Sequence, residues 1–415
     1  MLAPSSLPVA FACVCGIVVA YTLRRKHIRE LNWKRRISIK KISPHSDMGQ
    51  SFGLDIGGTL SKIVYFEQAP GVTSRPRAKS HVLAAQEVSR FVKSSDNYGS
   101  SGVRDTRLSV TSETLGGTLH FMHFETRKME GAVSQVANHS LSQSLRVVSC
   151  TGGGAHKHLQ YANLIHEIAG IEVRKEDEVA CLVRGLNFLL NVFPNEVYTF
   201  VNVDFGSLSA TRMSLVRDNT DEDIFPYILV SIGSGVSVLH VTGPGKFTRV
   251  SGSSIGGGTY WGLCRMLFEC TTYDEALDLC VHGRNASVDM SVGDIYGGAY
   301  EKFNLPATTV ASSFGKMISV ERAEVSDADI ARSLLVMTTQ NIGLIAYLNA
   351  CIHGTKRIFF VGNFLRHNKI SCRTLAYAIN FWSKGEMKAH FCRHEGYLGA
   401  LGAFLSQAPD MPCNP

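Results

Sequence analysis

Four apolar runs along the chain each finish in a glycine turn. They are "FGLDIGGTLSKIVYF" (52–66), "RVVSCTGGGA" (146–155), "YILVSIGSGVSVLHV" (227–241) and "RIFFVGNFL" (357–365). Short runs rich in Val, Ile and Phe and bounded by glycine predict buried strands. In the first and third, an apolar run resumes directly after the turn, which predicts a β-hairpin. The second passes into a helix-like stretch. The clearest helix is predicted over 326–352, "SDADIARSLLVMTTQNIGLIAYLNACI". Ser326 and Asp329 make a capping-box-like start, with Asp in place of the usual Glu. Ile330, Leu334, Thr338, Ile342 and Ile345 then recur at helical spacing. That apolar face is broad enough for a buried helix or a subunit interface. Strands separated by helices indicate an α/β fold. Two hairpin–glycine units predict two related lobes, each giving one turn to a shared cleft.

The chain has 415 residues, 45% hydrophobic and 19% charged, which suits two or three domains with a sizeable core. Its net charge of +7 sits wholly in residues 1–47, which carry nine Lys/Arg against two acids. The rest is neutral, so the basic balance gives no argument for nucleic-acid binding. Within the basic segment, residues 7–23 carry no charge, and the cluster begins at Arg24. As a helix this run would be about 25 Å long, a little short for a ~30 Å hydrocarbon core. A secretory signal places its charges ahead of the apolar run, so the segment reads first as an uncleaved signal anchor that keeps the body cytosolic. A mitochondrial matrix presequence and an N-terminus without a targeting role are the alternatives. The presequence needs Arg on an amphipathic face near its start, and residues 1–23 have none. Eleven cysteines, odd in number and without a CxxC pair, indicate a reducing compartment and no structural zinc.

In the first hairpin, Asp55 ends a strand beside a turn stripped of side chains. Such a turn lets backbone N–H groups approach an anion closely. Gly57, Gly58 and Thr59 in one lobe, and Gly233, Ser234 and Gly235 in the other, are placed to grip a polyphosphate from opposite sides. A polyphosphate brings Mg²⁺, which prefers carboxylate and water oxygens, and Asp55 is the candidate to hold that ion or its waters. Lys62 would neutralise phosphate charge. A lone Gly-Gly hairpin carries little weight, because many hairpins turn this way. The "TGGGA" and "SIGGGT" turns add to the two hairpins. No GxxxxGK[ST] pattern is present, so this is not a Walker-type site.

"DIGGTLSKIVYFE" resembles the first phosphate motif of the acetate/sugar kinase, heat-shock protein and actin superfamily. Longer stretches resemble one branch of it, the eukaryotic (type II) pantothenate kinases. They are "NYGSSGVRD" (97–105), "CTGGGAHK" (150–157), "EDEVACLVRGLNFL" (176–189), "SIGSGVSVLHV" (231–241), "RVSGSSIGGGTYWGLC" (249–264), "DIYGGAYEKF" (294–303), "VASSFGKM" (310–317), "FVGNFLRHN" (360–368) and "FWSKGEMKAHFCRHEGYLGALGA" (381–403). They run in the family's order and span nearly all of 51–404.

The resemblance implies a two-lobed actin-like ATPase fold with ribonuclease H-like lobes. The lobes are expected over 49–170 and 171–408, between an N-terminal segment, 1–48, and a tail, 409–415. It implies ATP and Mg²⁺ as cofactors and phosphorylation of pantothenate to 4'-phosphopantothenate, the committed step of coenzyme A synthesis. Glu178 falls on the family's catalytic base, although its composition alone reads as a solvated helix acid. Ala180 stands where the motif usually has a second acid. Asp55, Gly57, Gly58, Thr59, Lys62, Gly233 and Gly235 fall on the nucleotide-phosphate site. Ser234, Ser237 and Arg249 fall on residues that contact the pantothenate part of the substrate or of bound acetyl-CoA. Feedback inhibition by acetyl-CoA or another acyl-CoA, and a homodimer built on the 326–352 helix, are further implications. Trp382 and the small residues Gly396–Ala400 are expected to serve the same regulatory ligand. Residues 192–225 depart from the family. A sugar kinase of the same superfamily and a non-catalytic scaffold are the competing readings. The scaffold is disfavoured because Asp55, Lys62 and Glu178 are all present.

Overall fold

The computed structural model describes residues 51–58, 60–69, 97–98, 102–112, 115–138, 147–152, 155–193, 195–201, 212–215 and 224–407. The apolar run 7–23 and Thr59 lie outside the described residues.

The first hairpin forms as expected, with β1 (Ser51–Ile56) antiparallel to β2 (Leu60–Gln68). Three short strands follow: β3 (Asn97–Tyr98), β4 (Gly102–Arg104) and β5 (Val110–Ser112). β6 (Gly117–Glu125) then pairs antiparallel with β2. On the far side of β1, β7 (Val147–Thr151) and β8 (Glu172–Lys175) add in parallel. The second sheet contains β9 (Val197–Val201), β10 (Arg212–Leu215), β11 (Tyr227–Ile232), β12 (Val236–Gly243) and β13 (Lys246–Ser253). A two-stranded ribbon, β14 (Met290–Ser291) with β15 (Val310–Ser312), stands apart. β16 (Arg357–Val361) and β17 (Lys388–Cys392) complete the second sheet.

The two sheets repeat one topology. The order β6-β2-β1-β7-β8 in the first reappears as β13-β12-β11-β16-β17 in the second. The repeat extends to backbone detail. Gly152, just after β7, has φ +123°, and a Cβ there would stand 2.2 Å from Ile56 O. Gly362, just after β16, has φ +110°, and a Cβ there would stand 2.4 Å from Ile232 O. In each lobe the fourth strand thus crosses the end of the first so closely that only glycine fits. β8 belongs to the first sheet, so the expected lobe boundary at 170 moves past Lys175. Parallel pairing with β7, rather than any apolar run of its own, holds β8 there.

Helices fill three layers around the sheets. α1 (Met129–Asn138) and α2 (Ala155–Ala169) cover the outer face of the first sheet, where Met129, Val133 and Ile165 meet Leu54, Ile56 and Met122. α3 (Glu178–Val192) lies between the sheets. α4 (Gly257–Leu267), α5 (Tyr273–His282) and the short α6 (Val292–Tyr296) precede the long α7 (Asp327–Ile352). α8 (Lys369–Trp382) and α9 (Leu398–Leu405) follow. α4, α5, α7 and α8 cover the outer face of the second sheet. Strand periodicity divides the second sheet cleanly: Ile358 and Phe360 face these helices, while Phe359 and Val361 face α3 and α9.

Ser326 caps α7 by accepting from Asp329 N, but the reciprocal half of the expected capping box does not form, because the Asp329 carboxylate accepts instead from Arg284 N at 2.6 Å. By length and composition α7 could cross a membrane, but Ile330, Leu334, Leu335, Ile342 and Ala346 are packed in the core. The buried-helix alternative therefore holds for most of α7, and Leu348 and Ile352 near its end are exposed. Of the divergent 192–225 segment, β9 and β10 extend the second sheet beyond β17, at the edge opposite β13.

α3 and α9 cross in the middle layer at unusually close range. A Cβ at Gly402 would stand 1.9 Å from Cys181 O, and one at Gly185 would stand 2.3 Å from Leu398 O. A buried ion pair fixes the chain entering α9: His394 Nδ1 lies 2.7 Å from Glu196 Oε2, and its Nε2 lies 2.8 Å from Leu108 O in the first lobe. Burial alone would lower the His394 pKa, but the Glu196 bond and charge outweigh it and raise it. One side chain thereby ties the second sheet to the first lobe.

Candidate active site

The site begins with a row of side chains across the first sheet. Asp55 on β1 stands opposite Lys62 on β2, and Lys62 stands opposite His123 on β6. Directly opposed residues of antiparallel strands project to the same face. That face carries Val64, Phe66 and Phe121 further along and packs on α9, so the row lies at the end of the apolar contact between the lobes.

Burial dominates the charges here. It lowers the Lys62 pKa, and the Arg366 cation adds to this, while Asp55, Glu395 and Glu178 pull the other way. Burial raises the Asp55 pKa against the influence of Lys62. Glu178 is the first residue of α3, directly after the N-cap Asp177, whose carboxylate accepts from Ala180 N at 2.7 Å. Its pKa is also raised, by partial burial first and then by Asp55 and Asp177, with Lys62 opposing. The expected base is thus brought within electrostatic reach of the expected phosphate residues, exposed at the head of α3 and more basic than an ordinary glutamate.

The connection from β17 to α9, together with the first turn of α9, roofs this row. A Cβ at Gly399 would stand 2.6 Å from Asp55 Oδ2, whereas one at Gly396 would stand 3.9 Å from Lys62 Cε. The small residues expected to serve a regulatory ligand therefore have a packing reason, at least at Gly399. Glu395 in the same connection was not singled out from the sequence. Burial, with Glu196 adding, pushes its carboxyl up to about 7 while Lys62 and His394 oppose. Its only sequence signal was an acid inside the motif block 381–403. Arg366 was missed likewise. It follows β16, its Nε is buried without a partner, and its charge bears on Lys62 and Asp105.

In the first turn, Gly57 N donates to Leu60 O at 3.1 Å, and Thr126 Oγ1 donates to Gly57 O at 2.8 Å. Neither Gly57 nor Gly58 has positive φ, and nothing lies within 4 Å of a Cβ at Gly58. Gly57 is held there by hydrogen bonds rather than by a left-handed backbone. In the second lobe, Gly233, Ser234 and Gly235 form the exposed β11–β12 turn. Gly257 N donates to Gly233 O and Gly258 N to Ser234 O, both at 2.9 Å. The "SIGGGT" turn thus buttresses the hairpin with N–H groups that the sequence suggested for phosphate. Next to it, Arg249 Nε lies 3.5 Å from Ser237 Oγ, and a Cβ at Gly252 would strike the guanidinium at 2.4 Å. Ser234, Ser237 and Arg249 are therefore gathered on the second lobe. Asp55, Lys62 and Glu178 are gathered on the first sheet and the start of α3. No hydrogen bond or ion pair among the described residues joins the two groups.

No cluster of three or more His, Cys, Asp or Glu side chains among the described residues could hold a metal alone. The cleft still suits Mg²⁺, which is commonly held by one or two carboxylates, water and substrate phosphates. Asp55 supplies a half-buried carboxylate of that kind.

Two lobes that repeat one sheet topology, each ending its first strand at a glycine hairpin, give the chain the two-lobed architecture of the actin-like ATPase class. The sequence profile of the Fumble family matches residues 51–406, and the chain belongs to this family, the type II pantothenate kinases. It is similar to pantothenate kinase 2 of Oryza sativa subsp. japonica, 44% identical over 87% of this chain and 39% of that protein. It is 41% identical to the 4'-phosphopantetheine phosphatase of Mus musculus, over 86% of this chain and 41% of that protein. Pantothenate kinase 1 of Arabidopsis thaliana is 43% identical over 85% of this chain and 84% of that protein. The chain thus spans about two fifths of the rice and mouse relatives. Among solved structures, a ROK family glucokinase from Streptomyces griseus aligns with 86% of this chain and 99% of its own, at 13% identity and a TM-score of 0.41.

Gly58→Val should leave the melting temperature within about 2 °C, since exposed substitutions without contacts are usually near-neutral. The isopropyl group should still block a phosphate, so calorimetry should show Mg·ATP affinity falling at least tenfold, or about 1.4 kcal/mol. Unchanged affinity would remove this turn from the nucleotide site.

Proposed function

We propose that the chain transfers the γ-phosphoryl group of ATP to the primary hydroxyl of pantothenate. The observation that carries this is Glu178, with its raised pKa, held at the head of α3 beside Asp55 and Lys62. Family membership supports the substrate. The hydroxyl oxygen attacks the γ-phosphorus, the bond to the bridging oxygen of ADP breaks, and the proton passes to the Glu178 carboxylate. Lys62 neutralises charge on the transferring group, and the two glycine turns hold the polyphosphate. Mg²⁺, when bound, supplies further charge neutralisation, and Asp55 would hold it or its waters. Arg249 suits the pantothenate carboxylate, and Ser234 and Ser237 suit its amide and hydroxyl groups.

Inhibition by acetyl-CoA or another acyl-CoA, and a homodimer, belong to this proposal. The exposed Leu348 and Ile352 at the end of α7 support the dimer. These features require a sedimentation mass of two chains and a loss of turnover on adding acetyl-CoA. The N-terminal anchor is also a proposal, supported by the uncharged run and the basic cluster behind it. It requires retention in the membrane pellet after carbonate extraction, and a shortened, protease-protected chain would point to a matrix presequence instead.

The test is ATP-dependent product formation with pantothenate and with a panel of sugars. Pantothenate should be consumed and the sugars left. Sugar phosphorylation alone would replace this reading with that of a sugar kinase. Glu178→Ala should lower kcat about 10²- to 10⁴-fold with Mg·ATP affinity retained. Because the Glu178 pKa is raised, the acid limb of kcat/KM should lie above the usual glutamate range, with activity lost as pH falls through it. The limb should vanish in Glu178→Gln. Near-normal turnover in either variant would remove Glu178 as the base.

A further inference from the structure

The row across the first sheet continues beyond Lys62. His123 Nδ1 lies 3.1 Å from Asp105 Oδ2 and 3.0 Å from the Tyr397 hydroxyl oxygen. The Tyr397 hydroxyl donates to the same Asp105 Oδ2. With that proton committed to Asp105, the His123 Nδ1–H donates toward the Asp105 and Tyr397 oxygens, which closes a three-membered network. Asp105 is suited to accept both. Burial would raise its pKa, but the bonds from His123 and Tyr397 outweigh it and hold the carboxyl below its ordinary range.

The three residues come from separate parts of the chain. Asp105 follows β4, His123 lies on β6, and Tyr397 is the residue before α9. Asp105 and His123 belong to the first lobe. Tyr397 belongs to the connection that leaves the second sheet and places Glu395 near Lys62 and Gly399 against Asp55. Tyr397 is only 5% exposed, and its ring packs edge-on to Phe121 at 5.3 Å. A buried tyrosine hydroxyl seeks a partner, and here the partners extend the row that holds Asp55 and Lys62. We infer that Asp105, His123 and Tyr397 form a latch that seats the β17–α9 connection on the Asp55–Lys62 pair, which makes them positioning residues for phosphoryl transfer. The kinetic part of this inference rests on the kinase reading above. The structural part does not.

The test compares the full chain with Tyr397→Phe, Asp105→Asn and the double variant. Phenylalanine keeps the ring contact with Phe121 and removes only the hydroxyl. With pantothenate, kcat of Tyr397→Phe should fall about tenfold while KM for pantothenate stays within about twofold, because the latch acts on the transferring group. Mg·ATP affinity should fall about threefold or more. Amide hydrogen exchange over 395–400 should accelerate, since the connection loses a tether. The double variant should be no slower than the slower single variant, because the residues act as one unit. Nucleotide affinity and exchange do not involve pantothenate, so a failed substrate assignment leaves this test intact. Wild-type kcat, nucleotide affinity and exchange in folded Tyr397→Phe would overturn the latch. Independent losses that multiply in the double variant would also overturn it. Should Tyr397→Phe not fold, Asp105→Asn carries the same comparison, because it keeps the side-chain shape and removes the charge.

Discussion

The cleft depends on keeping an ammonium group partly out of water. Lys62 projects from β2 at the point where the apolar contact between the lobes ends. Removing its charge from water is unfavourable unless opposite charges compensate. Asp55 opposes it directly across the hairpin, and Glu178 and Glu395 add negative potential from α3 and from the β17–α9 connection. These acids are crowded in turn, and burial shifts Asp55, Glu178 and Glu395 towards their protonated forms. An arriving polyphosphate would meet a half-buried lysine flanked by the half-buried Asp55 and Glu395, with Glu178 exposed at the head of α3. A transferring phosphoryl group needs the same setting: a fixed cation, a carboxylate ready to take a proton, and little water.

The duplicated fold explains why this setting forms where it does. Each lobe ends its first strand at a glycine hairpin, and in each a positive-φ glycine brings the fourth strand against that end. The lobes then diverge in chemistry. Asp55 in the first lobe corresponds to Ser231 in the second, as each lies one residue before the end of its first strand. The first lobe thus carries the charged row, and the second carries the Ser237–Arg249 pair. α3 and α9, crossing within glycine-only distance, set how far apart the two halves stand.

Local patterns made the framework legible. The β1–β2 and β11–β12 hairpins and α7 were readable because apolar period, turn glycines and a serine cap all lie within a few neighbouring residues. β8 was not, because "EVRK" has no apolar pattern and becomes a strand only by pairing with β7. The "SIGGGT" turn read as a phosphate turn, but two of its N–H groups bond to the hairpin beneath it. Asp55, Lys62 and Glu178 were legible through motif resemblance, and their mutual electrostatic contact is a tertiary fact. Glu395, Tyr397 and Gly399 were not legible as site residues. Their role comes from contact with strands more than 270 positions earlier, which no local window contains.

The β17–α9 connection and the first turn of α9 lie directly against the Asp55–Lys62 pair and fix it. Two alanine substitutions test this, one in that connection and one in the first turn of α9. At Gly399 a methyl group would stand 2.6 Å from Asp55 Oδ2, and at Gly396 it would stand 3.9 Å from Lys62 Cε. Residue 399 lies in α9, where alanine is the better helix former by about 1 kcal/mol. A loss of activity there would not reflect a weaker helix. The measurement is the turnover of Gly399→Ala beside that of Gly396→Ala, with melting temperatures recorded for both. The account predicts that Gly399→Ala loses at least about tenfold in kcat, or ~1.4 kcal/mol of transition-state stabilisation, while Gly396→Ala stays near the unmodified chain. Equal turnover in the two variants would contradict it.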